Sequence, residues 1–211
     1  MIPASASAAT SSGLVAGSSL TQARAEVSRY SAIPLLYPGT TAVVIGAGGL
    51  GHIGIQCLAA LTATNIIVVD RNPDALKLAE QLGAHHTVVA DGGQVAAVQE
   101  LTGGPGAQVV FDFVAEEGAE AEGWQMTAPA GSYFVIGYGG TLEIPTLDII
   151  STERNIIGNI VGTYNELAEL MALAQAGKVT LHTRTYPLDA AVEALSDLDA
   201  GRVRGRAILV P

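Results

Sequence analysis

The densest chemistry in the chain sits in six residues, Gly46-Ala47-Gly48-Gly49-Leu50-Gly51. They follow a β-branched run, Thr41–Ile45, and lead into a segment of helical spacing, Leu50–Leu61. Gly46 permits a tight turn, and Gly48 lets the backbone approach a ligand with no side chain in the way. Gly51 lets the following helix pack closely on a sheet. The free N–H groups and positive dipole end of that helix favour an anion, phosphate above all. Asp70 ends the next β-branched run about twenty residues past the turn, where a carboxylate can accept hydrogen bonds from a ribose. Turn, strand, helix and acid together predict a dinucleotide site. A carboxylate repels a 2′-phosphate, so NAD is favoured over NADP. The plainer alternative for Asp70 is a cap on the turn before Pro73. Arg71 beside it is able to receive a 2′-phosphate, lie over an adenine face or point into solvent.

Other candidates carry weaker signals. Asp112 ends a strand pattern, Phe111-Asp112-Phe113-Val114, and is read as an anchor for the neighbouring loop rather than as a catalyst. Val114 and the Ile136-Gly137 backbone fall at strand ends that face the same crevice in a doubly wound sheet. Of the four histidines, His85 and His86 are adjacent on a strand and point to opposite faces, so they do not chelate one metal. His52 lies in the first turn beside the expected phosphates and is read as a hydrogen-bond donor to them. Cys57 falls among Ile53, Ile55 and Leu58 and reads as a buried core thiol. The acids Glu116, Glu117, Glu120 and Glu122 suit the start of a helix.

These residues require a frame of alternating elements. Strand patterns fall at Thr41–Gly46, Asn65–Asp70, Thr87–Ala90, Ala107–Asp112, Ser132–Gly137 and Asn155–Val161. Helical spacing fills Leu50–Leu61, Pro73–Leu82, Gln94–Leu101 and Glu117–Ala128. Strands apolar on both faces and separated by helices predict a parallel sheet covered on two sides. The fold class is therefore α/β, a doubly wound Rossmann sheet of six strands with a small C-terminal helix and strand. The later patterns are a helix at Asn165–Ala176, an edge segment at Thr183–Pro187, a helix at Leu188–Leu198 and a strand at Arg206–Val210. Residues 1–19 read as an Ala/Ser-rich leader, 20–178 as the dinucleotide-binding domain and 179–211 as a C-terminal segment.

Composition narrows the function classes. The 211 residues carry a net charge of −10, which argues against nucleic acid. Hydrophobic residues make up 49%, too many for a disordered chain. A single cysteine excludes an internal disulfide and a multi-cysteine zinc site, and fits a cytoplasmic setting. The leader lacks the charged region of a signal peptide, and no apolar run is long enough to span a membrane.

Several segments, in order, resemble the zinc-dependent medium-chain alcohol dehydrogenases. They are Pro38 to His52, Leu82-Gly83-Ala84, Leu101-Thr102-Gly103-Gly104, Phe111 to Val114 and the ending Gly205 to Pro211. The resemblance implies NAD binding by Gly46, Gly48, Gly49, Leu50, Asp70, Val114 and the Ile136-Gly137 backbone. It also implies that Arg206 reaches the pyrophosphate. The family usually has glycine after the position of Val114, where this chain has Ala115. Family members begin with a catalytic domain that carries the zinc ligands. No such ligand cluster is legible here, so the chain is expected to bind cofactor without oxidising an alcohol alone. The family pairs its cofactor domains edge to edge, which implies a homodimer through Thr141–Pro145 and Asn155–Val161. A separate catalytic chain is a further expected partner. In the family the stretch matching Leu181–Pro211 packs on the catalytic domain. Leu188, Val192, Leu195, Leu198, Ile208 and Val210 are then expected to be covered by Leu14–Leu36 or by another subunit. A stand-alone NAD-binding or redox-sensing module is the alternative function.

Overall fold

The computed structural model describes residues 32–211. Six parallel strands form one sheet: β1 (Thr41–Ile45), β2 (Asn65–Asp70), β3 (His86–Val89), β4 (Ala107–Asp112), β5 (Thr127–Val135) and β6 (Asn155–Gly158). Their order across the sheet is β3-β2-β1-β4-β5-β6, the doubly wound order in which the chain reverses direction between β1 and β4. The helices between them are α1 (Gly51–Leu61), α2 (Pro73–Gln81), α3 (Gln94–Leu101), α4 (Ala119–Met126) and α5 (Thr146–Thr152).

Alternation along the strands builds two cores, because successive side chains leave a strand on opposite faces. Ala42, Val44, Ile66, Val68, Val109, Phe111 and Phe134 pack on Ile53, Ile55 and Leu58 of α1 and on Leu76 and Ala79 of α2. Val43, Ile45, Ile67, Val69, Val110 and Tyr133 pack on Val98 of α3 and Met126 of α4. Cys57 is buried in the first of these layers. Asn72 caps α2 by accepting from the Asp74 amide at 2.9 Å, with Pro73 in the first turn. Gly83 follows that helix at φ +111°.

The expected strands and helices recur with shifted ends and some differences of kind. β5 begins at Thr127, ahead of the expected Ser132, and its pairing with β4 slips between Ala107 and Val109. Pro129, Ala130 at φ 57° and Gly131 make that irregularity, which hid the first part of the strand. β6 stops at Gly158, short of the expected Val161. Thr141–Pro145 is not a strand but leads into α5, for which no expectation was drawn.

The C-terminal segment holds more than the expected helix and strand. After α6 (Tyr164–Gln175), β7 (Thr183–Pro187) and β8 (Arg206–Val210) pair in parallel, with α7 (Ala191–Asp199) crossing between them. Asp197 ties this unit together, accepting from the Tyr186 hydroxyl at 2.8 Å and pairing with Arg184 and Arg202. These donors hold its carboxyl below the usual range. Gln56 of α1 exchanges two hydrogen bonds with the Thr180 backbone, which docks the unit on the main sheet.

Leu188, Val192, Leu195, Ile208 and Val210 are exposed. The leader and the part of Leu14–Leu36 through residue 31 lie outside the described residues. Ala32 and Leu36 pack into the core beside α1.

Candidate functional site

Parallel strands deliver their C-terminal ends to one edge of the sheet. The expected site residues therefore collect where β1 and β4 part. Gly46 takes φ +88° directly after β1, and its amide donates to the Val69 carbonyl at 2.8 Å. Gly48 is exposed, and a Cβ there would meet nothing within 4 Å. A Cβ on Gly51 would lie 1.7 Å from the Gly46 carbonyl oxygen. Gly51 thus lets α1 close on the turn, while Gly48 leaves the space beyond it open. The amides of Gly48, Gly49 and Leu50 make no hydrogen bond among the described residues. Leu50 is the N-cap of α1 and offers no side-chain cap. An anion is the natural acceptor for such a set.

Asp70 ends β2, half-buried, facing the turn. One carboxylate oxygen accepts from the Ala47 amide at 2.7 Å and the other from the Asn72 amide at 2.7 Å. The acid therefore caps the turn before Pro73, as the plainer reading expects, and also ties down the glycine loop. Each oxygen keeps further lone-pair capacity toward the crevice. Arg71 is exposed and pairs with Glu117 at 2.6 Å, spanning from the loop after β2 to the loop after β4. Glu117 lies just before α4, so it is not part of the helix start expected for the acid group, although Glu120 and Glu122 are.

On the other side, Val114 packs so close that a Cβ on Gly46 would lie 2.7 Å from its Cγ2. A Cβ on Gly137 would come 2.3 Å from the Val114 carbonyl oxygen, so only glycine lets the two loops touch. Ile136 is buried beside them. Asp112 anchors this loop. Its Oδ1 accepts from the Val114 and Ala115 amides, each at 2.8 Å, and its Oδ2 accepts from the Tyr133 hydroxyl at 2.6 Å. Burial raises the Asp112 pKa against the pull of those hydrogen bonds. Ala115 sits at φ 47°, in the left-handed region that favours glycine.

Arg206, from the first residue of β8, lies over Gly49 and donates from Nε to its carbonyl at 3.1 Å. The loop before it also reaches the segment after β2. The Asn72 side chain donates to the Gly201 carbonyl at 3.2 Å, and Arg204 pairs with Asp74 at 2.8 Å. Neither contact was legible in the sequence, since both join residues far apart along the chain.

His52 corrects an expectation. Its Nδ1 lies 2.9 Å from the Gly48 carbonyl, and burial pushes its pKa down to about 4. The neutral ring spends its one N–H on that carbonyl, which leaves Nε2 as an acceptor and no proton for a phosphate. Zinc does not fit the donors among the described residues. All four histidines and the cysteine fall within the described residues, yet no three His, Cys, Asp or Glu among those residues are grouped to hold a metal ion. His85 accepts from the Ile66 amide at 3.0 Å.

Comparison with known proteins decides the family. Residues 49–176 match the family model described as zinc-binding dehydrogenase. The chain belongs to the zinc-binding dehydrogenase family. It is 36% identical over 180 residues to an NAD-dependent alcohol dehydrogenase of Sulfurisphaera tokodaii, covering 83% of this chain and 52% of that one. It is 29% identical to a D-arabinose 1-dehydrogenase (NADP(+)) of Saccharolobus solfataricus, covering 85% of this chain and 52% of the relative. The crystal structure of the alcohol dehydrogenase from Aeropyrum pernix superposes with a TM-score of 0.89 at 39% identity. That match covers 92% of this chain and 56% of the other. This zinc-binding dehydrogenase chain thus spans about half the length of the relatives it matches. Among its described residues no helix is long and apolar enough to cross a membrane.

Proposed function

We propose that this chain is the NAD-binding half of an alcohol dehydrogenase-like oxidoreductase, held in the cytoplasm. The carrying observation is Asp70, whose carboxylate stands at the end of β2 against the glycine turn. The amides of Gly48, Gly49 and Leu50, without a partner among the described residues, receive the pyrophosphate, and Arg206 adds positive charge beside it. Val114, Ile136 and Gly137 form the apolar wall toward the nicotinamide, and Arg71 lies near the adenine side. Bound NAD would supply the hydride acceptor. The zinc of the family would come from residues outside this donor set, on another segment or a separate catalytic chain.

NADH is expected to bind at least about tenfold more tightly than NADPH, because a 2′-phosphate beside a carboxylate is repelled. Calorimetric titration measures both, and Asp70→Ala should narrow the gap. Equal or tighter NADPH binding would overturn the assignment. The same preparation, given NAD, zinc and short alcohols, is expected to show no turnover. Turnover lost on chelation and restored by zinc would disprove the division of labour.

A homodimer through the free edge of β6 accompanies this reading. Among the described residues β6 pairs only with β5, and Ile160 and Tyr164 just beyond it are 84% and 82% exposed. An unpaired edge beside apolar side chains invites a second strand. Light scattering at micromolar concentration should give twice the chain mass, and a monomer would count against the pairing.

A further inference from the structure

We infer that His52 is a positioning residue that sets the phosphate affinity of the glycine turn by fixing one peptide plane. The inference rests on the cofactor reading above. His52 is 1% exposed and sits in the first turn of α1. Its backbone amide at 3.1 Å and its ring Nδ1 at 2.9 Å both converge on the Gly48 carbonyl oxygen. In a planar trans peptide the carbonyl and the next N–H point in opposite directions. A Gly48 carbonyl held toward the helix therefore holds the Gly49 N–H away from it, toward the crevice, where it makes no hydrogen bond among the described residues.

Neighbouring peptides are pinned in the same manner. Asp70 holds the Ala47 amide, and Arg206 holds the Gly49 carbonyl. The turn is thus shaped before any ligand arrives, which lowers the ordering cost of binding. With two glycines in succession, the Gly48–Gly49 peptide has the widest conformational choice of the turn and the most to gain from a pin. Burial keeps the ring neutral, so its single N–H is committed to Gly48 and the buried Nε2 is left with no hydrogen-bond partner among the described residues. His182 stands edge-on with its ring centre 6.0 Å away. A residue kept only for packing has no need of a buried, unsatisfied nitrogen, which a leucine would avoid.

Two substitutions separate positioning from packing. His52→Leu fills the space without the donor, and His52→Asn keeps a donor near the place of Nδ1. Titration with ADP-ribose should show about a tenfold or greater loss for His52→Leu, and affinity within about threefold of the parent for His52→Asn. Adenosine, which has no phosphates, should bind all three proteins alike. Parent-like ADP-ribose binding by His52→Leu, or an equal loss of both ligands, would overturn the inference. Nitrogen NMR of the unmodified protein supplies a check that needs no variant. The proton should lie on Nδ1 of His52, and a proton on Nε2 would refute the pin. A parent chain that binds neither NADH nor ADP-ribose would instead refute the cofactor reading on which the inference stands.

Discussion

Gly51→Ala is expected to destabilise the chain by about 3 kcal/mol or more and to abolish cofactor binding, while Gly48→Ala leaves the fold intact. A methyl on Gly51 would lie 1.7 Å from the Gly46 oxygen and 2.8 Å from its carbon. That carbonyl has no room to retreat. Gly46 is fixed by its positive φ and by its bond to Val69, and Val114 presses on it from the other side. Relief would require α1 to tilt off the sheet, which would open the core around Ile53, Ile55 and Leu58. At Gly48 a methyl meets no atom of the described residues within 4 Å and lies outside the left-handed region. Its cost to stability should stay within about 1 kcal/mol, because alanine even reduces the entropy of the unfolded chain. The methyl would, however, occupy the space through which a phosphate reaches the amides. Thermal melts and NADH titration of the two variants separate the roles. Loss of both properties in Gly48→Ala, or parent-like stability in Gly51→Ala, would show that the two glycines do not divide the work this way.

The division between legible and hidden features follows the range of the interactions. The turn, α1 and the Asp70 spacing are local patterns, and each occupies the sheet edge where the sequence puts it. β1, β2 and β4 were legible as apolar runs buried on both faces, whereas the more exposed β3 and β6 were legible only as short β-branched runs between helical segments. β5 was legible only from Ser132, where its regular pairing with β4 begins, since Pro129 and Gly131 break the pattern earlier. The parallel pairing of β7 with β8 was not legible, because partners such as Thr183 and Arg206 are joined only by tertiary structure. His52 was misassigned for a different reason. Position beside an anion site suggests a donor, but direction is set by the nearest acceptor, and the Gly48 carbonyl lies one helical turn back. Arg71 likewise has a preferred partner, Glu117, that sequence separation concealed.

Asp112 shows how much the apolar side of the crevice depends on one buried carboxylate. Asp112→Ala should cost about 3–5 kcal/mol, because it strands the amides of Val114 and Ala115 and the hydroxyl of Tyr133 in a dry interior. At about 2–4 °C per kcal/mol for a chain of this size, the melting temperature should fall by roughly 10 °C. Tyr133→Phe removes a single donor to a charged group and should cost about 1.5–3 kcal/mol. The double variant should lose less than the sum, since the second change removes a group already stranded. Asp112→Asn keeps an acceptor for both amides and removes the buried charge, so it should cost less than half as much as alanine at neutral pH. Its pH dependence has a definite sign. Burial raises the folded pKa above the ordinary 3.8, so the native chain holds this proton more firmly than the unfolded one. The stabilisation from that proton is complete below the ordinary pKa and is lost as the pH rises through the raised value. Asp112→Asn should therefore gain on the parent as denaturant titrations move from about pH 4 to about pH 7. A gap that widens against the variant over that climb would mean that the hydrogen bonds outweigh burial and hold the Asp112 carboxyl below its ordinary range instead of above it.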